Sequence, residues 1–357
     1  MTKFYINDIP PKIELELQMK LLKKNSAILQ LLRELDVKMS LGIVNEQVLN
    51  FFLMNEAVES TRIEGTQTTM QEMFEAQASK KDSVDIREVL NYINALENGK
   101  RRVRQDGFIA SRTIKWIHEL LLKGNVRGAN CSPGEFRKID EIWIGKAGST
   151  RETASYVPPS HLTINDYMKN IEDFINDTDS DFPPIIATAI IHAQFESVHP
   201  FLDGNGRVGR MLIPLIFELK GDKTLSSLFI SKQLENNKYK YYSFLNGTRK
   251  EEPEWYQWIN FFMESVENSI KEAIYKYDNI LDLYNKHQNK EDLNYMKVYD
   301  FIFSHPIVTI SQLMHETKLS RPTITRVLNI MVKNNFVFKS DHKRNVQYIC
   351  YDLLRIM

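Results

Sequence analysis

Apolar residues recur along this chain at three- and four-residue intervals, and that period restricts its fold more than any other feature. Ile114, Ile117, Leu120 and Leu121 share one face of a helix, as do Ile186, Ile190, Ala193 and Val198. With only 14 Gly in 357 residues, interruptions are few and a mainly α body is expected. One segment breaks the period. Between Gly134 and Pro159, Glu141-Ile142-Trp143-Ile144, a small-residue turn over 145–150 and Ala154-Ser155-Tyr156-Val157 read as a β-hairpin with an irregular loop.

The length exceeds that of a usual single domain, so a large domain with a small appended one is expected. Hydrophobic residues at 43% and charged residues at 26% are ordinary for a soluble globular protein. No apolar run reaches the length of a membrane span and the N-terminus lacks a signal-peptide pattern, so no membrane association and a cytoplasmic location are expected. Cys131 and Cys350 alone supply neither a disulfide framework nor a cysteine metal site. The 46 basic residues match the 46 acidic ones, so no global field draws the chain to nucleic acid or membrane.

Past a polar stretch at 285–294 the tail follows its own plan. Residues 293–303, 309–317 and 320–334 read as helices, the last with Ser320 as N-cap and Pro322 in its first turn. Phe336-Val337-Phe338 and Val346-Gln347-Tyr348-Ile349 read as strands. Three helices and a two-stranded wing resemble a winged helix-turn-helix domain. Residues 290–357 hold ten Lys and Arg against six Asp and Glu, a net +4 in a neutral chain. Arg321, Thr323, Thr325 and Arg326, with Lys343 and Arg344 on the wing, are candidate DNA contacts; a domain of this kind can equally dock protein.

The chemistry concentrates in His199-Pro200-Phe201-Leu202-Asp203-Gly204-Asn205-Gly206-Arg207-Val208-Gly209-Arg210. A Gly-Asn-Gly turn at a helix start presents unpaired amides at the positive end of the helix dipole, which makes an anion cradle. Arg207 and Arg210, three apart, share a face and can reach phosphate oxygens. Asp203 offers a hard oxygen ligand for Mg²⁺ between phosphates, and His199 is the candidate base. Singly, a His-Pro pair ends helices, Gly-Asn-Gly makes turns and paired arginines face solvent. Twelve contiguous residues that combine all four roles favour a polyphosphate site.

This stretch resembles the Fic signature, His-Pro-Phe-x-Asp/Glu-Gly-Asn-Gly-Arg-x-x-Arg, at every defined position. The resemblance implies a Fic-type helical core over about 46–267, with a small β-hairpin flap. It also implies transfer of AMP from ATP, the co-substrate, to a Tyr, Thr or Ser hydroxyl of a protein, with release of pyrophosphate. In that reading His199 is the base and Asp203 holds Mg²⁺. The segment 204–210, comprising Gly204, Asn205, Gly206, Arg207, Val208, Gly209 and Arg210, lines the ATP phosphates, and Asn205 with the glycine amides steadies the α-phosphate. Gly134-Glu135-Phe136-Arg137 and the hairpin ending Tyr156-Val157-Pro158-Pro159 resemble the family's flap, so Ala154, Ser155, Tyr156 and Val157 are expected to dock the target segment. Tyr241 and Tyr242 resemble its adenine side. His192 has no partners at zinc-ligand spacing and reads as a core or surface histidine.

Ser60-Thr61-Arg62-Ile63-Glu64-Gly65 resembles the family's inhibitory motif, Ser/Thr-x-x-x-Glu-Gly/Asn. It implies that Ser60 and Glu64 restrain the enzyme from within, Glu64 competing with the γ-phosphate for Arg210, and that a homodimer and self-modification tune the restraint. The expected division is an N-terminal helical region over 1–110, a catalytic core over 111–285 and the winged helix over 290–357. Two rivals remain: a DNA-binding regulator whose Fic-like core senses ATP, and a relative that transfers another phosphate-containing group.

Overall fold

The computed structural model describes residues 4–41, 45–79, 81–145, 148–341 and 346–357. Five helices come first: α1 (Leu15–Leu41), α2 (Asn45–Ile63), α3 (Met70–Ser79), α4 (Val84–Asp106) and α5 (Ser111–Leu121). After an irregular stretch come α6 (Ile164–Asn176), α7 (Pro184–Val198) and α8 (Asn205–Leu219). Two short helices, α9 (Lys223–Ser226) and α10 (Ser231–Asn236), lead to α11 (Lys238–Gly247) and the long α12 (Trp255–His287). No described helix is long and apolar enough to cross a membrane.

The centre of the body is α7. Every residue from Ile185 to Val198 is buried, the behaviour of a helix that is apolar on all sides, and α1, α6, α8, α11 and α12 surround it. Pro184 opens it at the position where a missing amide hydrogen is harmless. Beside it, α8 packs on α4 and runs through Pro214 without ending. The turn between these two inner helices carries the sequence motif, so packing on both sides fixes that turn.

The hairpin is smaller than the sequence suggests. Among the described residues, strand pairing here is confined to Ile144 and Tyr156, which exchange two backbone bonds of 2.8 and 3.0 Å. Beyond that pair, side chains take over: Trp143 Nε1 donates to Ser149 O at 2.7 Å, and Thr150 N donates to Thr153 Oγ1 at 2.9 Å. Such local bonds compete with a ladder.

In the tail, α13 (Leu293–Ser304), α14 (Ile310–Thr317) and α15 (Arg321–Lys333) fall where the helical spacing predicts them, with Ser320 capping α15. The strands differ. A short β1 (Ile307–Thr309), too brief to carry an alternation signal, joins β2 (Phe338–Lys339) and β3 (Gln347–Ile349) in an antiparallel sheet of order β1-β3-β2. Phe336 and Val337 do not pair as strand; both are buried in the core. The last helix is α16 (Tyr351–Ile356). This tail lies on the body, with α13 against α2, β1 against α3 and α16 against α12, and Tyr284 of α12 meets Phe303 edge-on at 5.0 Å.

Candidate active site

His199 ends α7 in the left-handed conformation, φ 49° and ψ 61°, which an L-residue other than glycine adopts only under constraint. The next residues turn sharply, and α8 starts after Gly204, itself at φ 80°. Asn205 closes the turn: its Oδ1 accepts from Phe201 N and its Nδ2 donates to Phe201 O, both at 2.8 Å. At 2% exposure and with both polar atoms engaged, Asn205 shapes the loop and does not face a phosphate, which corrects the expectation for it. Phe201 stacks on His118 with ring centroids 3.8 Å apart.

His118 was not marked by the sequence. Its Nδ1 accepts from Gly134 N at 2.9 Å, so its Nε2 carries the proton and donates to Asp203 O at 2.9 Å. Burial depresses its pKa to about 4, and the neutral ring orients the main chain of Asp203. The Asp203 carboxylate accepts from Gly204 N at 2.5 Å and from Arg207 Nη2 at 3.3 Å through Oδ1. Its Oδ2 lies where a side chain on Gly128 would sit, 2.4 Å from the ideal Cβ position. Glycine at 128, at φ +80°, keeps that oxygen accessible.

Both motif arginines are buried. Arg207 pairs with Asp203, and its Nε is buried without a partner. Arg210 donates from Nε to Ser60 Oγ at 2.8 Å, and from Nη2 to Ser60 O at 2.9 Å and Glu64 Oε1 at 2.6 Å. Burial works against the charge of Glu64, but Arg210 outweighs it and holds the carboxyl below the ordinary range. The Glu64 side chain is 36% exposed, so this pair stands at the lip of the site. Glu64 also lies over the first turn of α8: its Oε1 is 2.3 Å from where a Gly206 Cβ would be. A carboxylate thus lies beside the first turn of α8, where an anion would be held at the helix start.

Other expected residues separate into inward and outward sets. Tyr241 is buried and donates from its hydroxyl to His192 Nε2 at 3.0 Å; His192 Nδ1 donates to Gly209 O at 3.0 Å. Tyr241 is therefore core rather than adenine surface, whereas Tyr242 is 40% exposed. His192 is a buried structural histidine, as its sequence context suggests. Val208 is buried in the α7–α8 contact and Gly209 meets Glu196 there, so neither faces a ligand. Tyr156 points inward and donates to Ser197 O; Ser155 is exposed, and Ala154 and Val157 are half-buried. In the tail Arg326 pairs with Asp292 at 2.9 Å, while Arg321 is exposed and Thr323 and Thr325 are half-buried. Lys343 and Arg344 lie outside the described residues.

Around His199 the structure gathers residues that sequence reasoning did not place there. Arg137 donates from Nε to His199 O at 3.0 Å, and Arg249 donates from Nε to Ser197 Oγ at 2.8 Å. Burial, then Arg249 and Arg137, depress the His199 pKa to about 3. Its Nδ1 is buried and unpartnered, an acceptor free to take a proton.

Residues 108–217 match the Fic/DOC family and residues 26–101 match the Fic/DOC family N-terminal region. The chain is 23% identical over 283 residues to "Probable protein adenylyltransferase aq_aa38" of Aquifex aeolicus, covering 73% of this chain and 81% of that one. It is 29% identical over 157 residues to the protein adenylyltransferase Fic of Aedes aegypti, covering 44% of this chain, and spans only 27% of that protein's length. Among solved structures, a Fic family protein from Desulfovibrio desulfuricans superposes with a TM-score of 0.59 at 20% identity over 96% of this chain and 98% of that one. A Fic domain containing signaling protein from Bacteroides thetaiotaomicron gives 0.54 at 18% identity over 70% of this chain and 97% of that one. These likenesses bear on the fold.

Proposed function

Because the chain belongs to the Fic/DOC family, we propose that it is a protein adenylyltransferase that moves AMP from ATP to a protein hydroxyl and that Glu64 holds it in check. The observation that carries this reading is the convergence, around the first turns of α8, of an unpartnered imidazole nitrogen, two buried guanidinium groups and a carboxylate that lies beside Gly206 and pairs with Arg210. A polyphosphate is the ligand that would satisfy all of them once Glu64 leaves.

In the reaction the target hydroxyl oxygen bonds to the α-phosphorus, the bond from that phosphorus to the bridging β-oxygen breaks, and pyrophosphate departs. His199 takes the hydroxyl proton on a ring nitrogen. Unprotonated in the free chain, it is ready as an acceptor, and phosphate charge brought beside it raises its basicity. Arg207 and Arg210 balance the negative charge that accumulates on the leaving group, which is the main demand of this type of transfer. Asp203 suits Mg²⁺: one carboxylate oxygen is free beside Gly128, and no cluster of three or more His, Cys, Asp or Glu suited to a metal occurs among the described residues. An ion held by one carboxylate would complete its shell with phosphate oxygens and water. When bound, it would draw charge from the phosphates.

The target segment would align along residues 154–157, of which Tyr156 alone pairs among the described residues. Tyr242, the exposed aromatic of the pair, would cover the adenine. For the tail we favour a winged helix that presents the start of α15, with Arg321 exposed, to DNA; retardation of genomic fragments that weakens with salt tests this, and no retardation at low salt refutes it. Self-association is proposed as a further control on Glu64, readable as a change in oligomeric state with concentration.

The decisive experiment incubates the protein with ATP and Mg²⁺ and weighs it intact. An AMP-sized gain in the parent but not in His199→Ala supports the reading. No gain in either, even with Glu64 replaced, favours an ATP-sensing regulator, and a gain of another mass a different transferred group.

A further inference from the structure

The last carbonyls of a helix have no partner within it, and at the end of α7 they belong to the residues that set His199. Tyr156 donates its hydroxyl to Ser197 O. Arg137 supplies the rest: Nη2 to Val198 O at 3.5 Å, Nε to His199 O at 3.0 Å and its own amide to Pro200 O at 2.8 Å. The same guanidinium reaches Ile139 O at 3.0 Å and Pro159 O at 2.6 Å. One side chain, fully removed from solvent, thereby ties both arms of the flap to the turn that carries the imidazole.

Arg249 approaches from the other side. It is 5% exposed, lies 3.7 Å over the Tyr156 ring, and donates to Ser197 Oγ at 2.8 Å and Asn246 Oδ1 at 3.0 Å. Ser197 Oγ donates onward to Ala193 O at 2.7 Å, so Arg249 braces the final turn of α7. Among the described residues no carboxylate pairs with Arg249. Burying such a cation without an ion-pair partner is unfavourable; Arg137 has Asp140 Oδ1 at 3.5 Å, so Arg249 is the one that calls for a role. The charged groups that face His199 are Arg249 and Arg137, which oppose its protonation, and Glu64 in the turn after α2, which favours it; the Glu196 carbonyl on α7 favours it as well.

We propose that Arg137 and Arg249 are the positioning residues of His199, Arg137 fixing the left-handed turn and the flap together and Arg249 bracing the end of the helix that carries the imidazole. The inference rests on His199 being the base of the reaction proposed above.

The test uses the full chain with Arg249→Gln, Arg249→Lys and His199→Ala, all checked by thermal melting. AMP transfer is followed as kcat and KM for ATP across pH, and the His199 ring nitrogens are titrated by ¹⁵N NMR. Arg249→Gln is expected to lower kcat about tenfold near pH 6 with KM within about twofold, because an acid limb enters the range of roughly pH 5 to 7. Arg249→Lys is expected to remove that limb. A parent-like profile in Arg249→Gln, or an equal loss at every pH that Arg249→Lys does not relieve, would overturn the proposal. If Arg249→Gln melts below the assay temperature, Ser197→Ala removes the Nε acceptor at constant charge; it should slow transfer, and an unchanged rate overturns the bracing role. The NMR titration needs no turnover. Transfer that survives in His199→Ala therefore defeats the base reading, while an unmoved ring titration in Arg249→Gln defeats the arginine reading.

Discussion

Gly209 shows how little room the motif leaves for a single atom. A Cβ there would stand 2.3 Å from Glu196 Oε1 and 3.2 Å from the Phe195 ring, and Glu196 Oε1 is buried without a partner. Gly209→Ala must therefore displace the Glu196 carboxylate from its buried place, and a loss of about 1–3 kcal/mol is expected in urea denaturation; an unchanged midpoint would mean that the carboxylate has room to turn aside. Glu64 is the opposite case, a side chain whose removal should help. Freed from the carboxylate, Arg210 can meet ATP, so Glu64→Gly should speed self-modification with α-labelled ATP by about tenfold or more, within the usual range of coupling between sites. Equal rates in the two proteins would remove the brake from this account. His199, Asp203, Arg207, Arg210 and Glu64 were legible in the sequence because chemistry and spacing coincide within short segments. Arg249 was not, being 50 residues beyond His199 with nothing local to distinguish a buried guanidinium from a solvated one. Asn205 and Tyr241 misled for a related reason: a polar tip in a binding motif can serve the loop or the core that holds the ligand groups in place.

Helix α2 reaches the site only because three clasps hold its C-terminal half. Glu56 accepts from Ser231 Oγ at 2.6 Å and from Tyr92 Oη at 2.9 Å. Arg127 joins Glu88 to Thr66 just after the helix, with Nε to Glu88 Oε1 at 2.7 Å. Lys238, at the start of α11, donates to Ile63 O at 2.8 Å, which places a cation on the last turn, where the helix dipole favours it. The third clasp is the simplest to cut. Lys238→Ala should fray the turn that leads into Glu64 and raise basal self-modification by about twofold to fivefold, the worth of one such terminal contact. In a Glu64→Gly background the same substitution should add nothing, since both act on one contact; additive effects would show that Lys238 works elsewhere. Helices of this kind were readable from apolar spacing, as α7, α13 and α15 show. The flap was not, because its strand-like residues bond to nearby side chains instead of to each other, and β1 escaped notice because three residues cannot display an alternation.

Across the whole molecule the buried titratable groups form two sets that pull stability in opposite directions with pH. His118, His192 and His199 are depressed by burial to about 4, 3 and 3. The unfolded chain, with histidines near 6.5, binds these protons first as pH falls, so the three favour the folded state less and less below that value. Glu56 and Glu196 are raised by burial from 4.5 to about 7. The folded chain keeps their protons while the unfolded chain releases them, so stability falls as pH rises between those two values. The sets balance in the interval they share, and maximum stability is expected at roughly pH 6 to 7, with the histidines dominating the decline at the acid end. Urea denaturation at about pH 5, 6.5 and 8 decides the matter: a midpoint that climbs steadily to the highest pH would mean that the two glutamates are ionised in the folded chain. Three of the five groups, His192 and Glu196 on α7 and His199 at its end, belong to one stretch of chain. Desolvation, with Arg249 and Arg137 beside it, keeps His199 free of its proton, and the burial of His192 and Glu196 ties the folding of the core helix to pH.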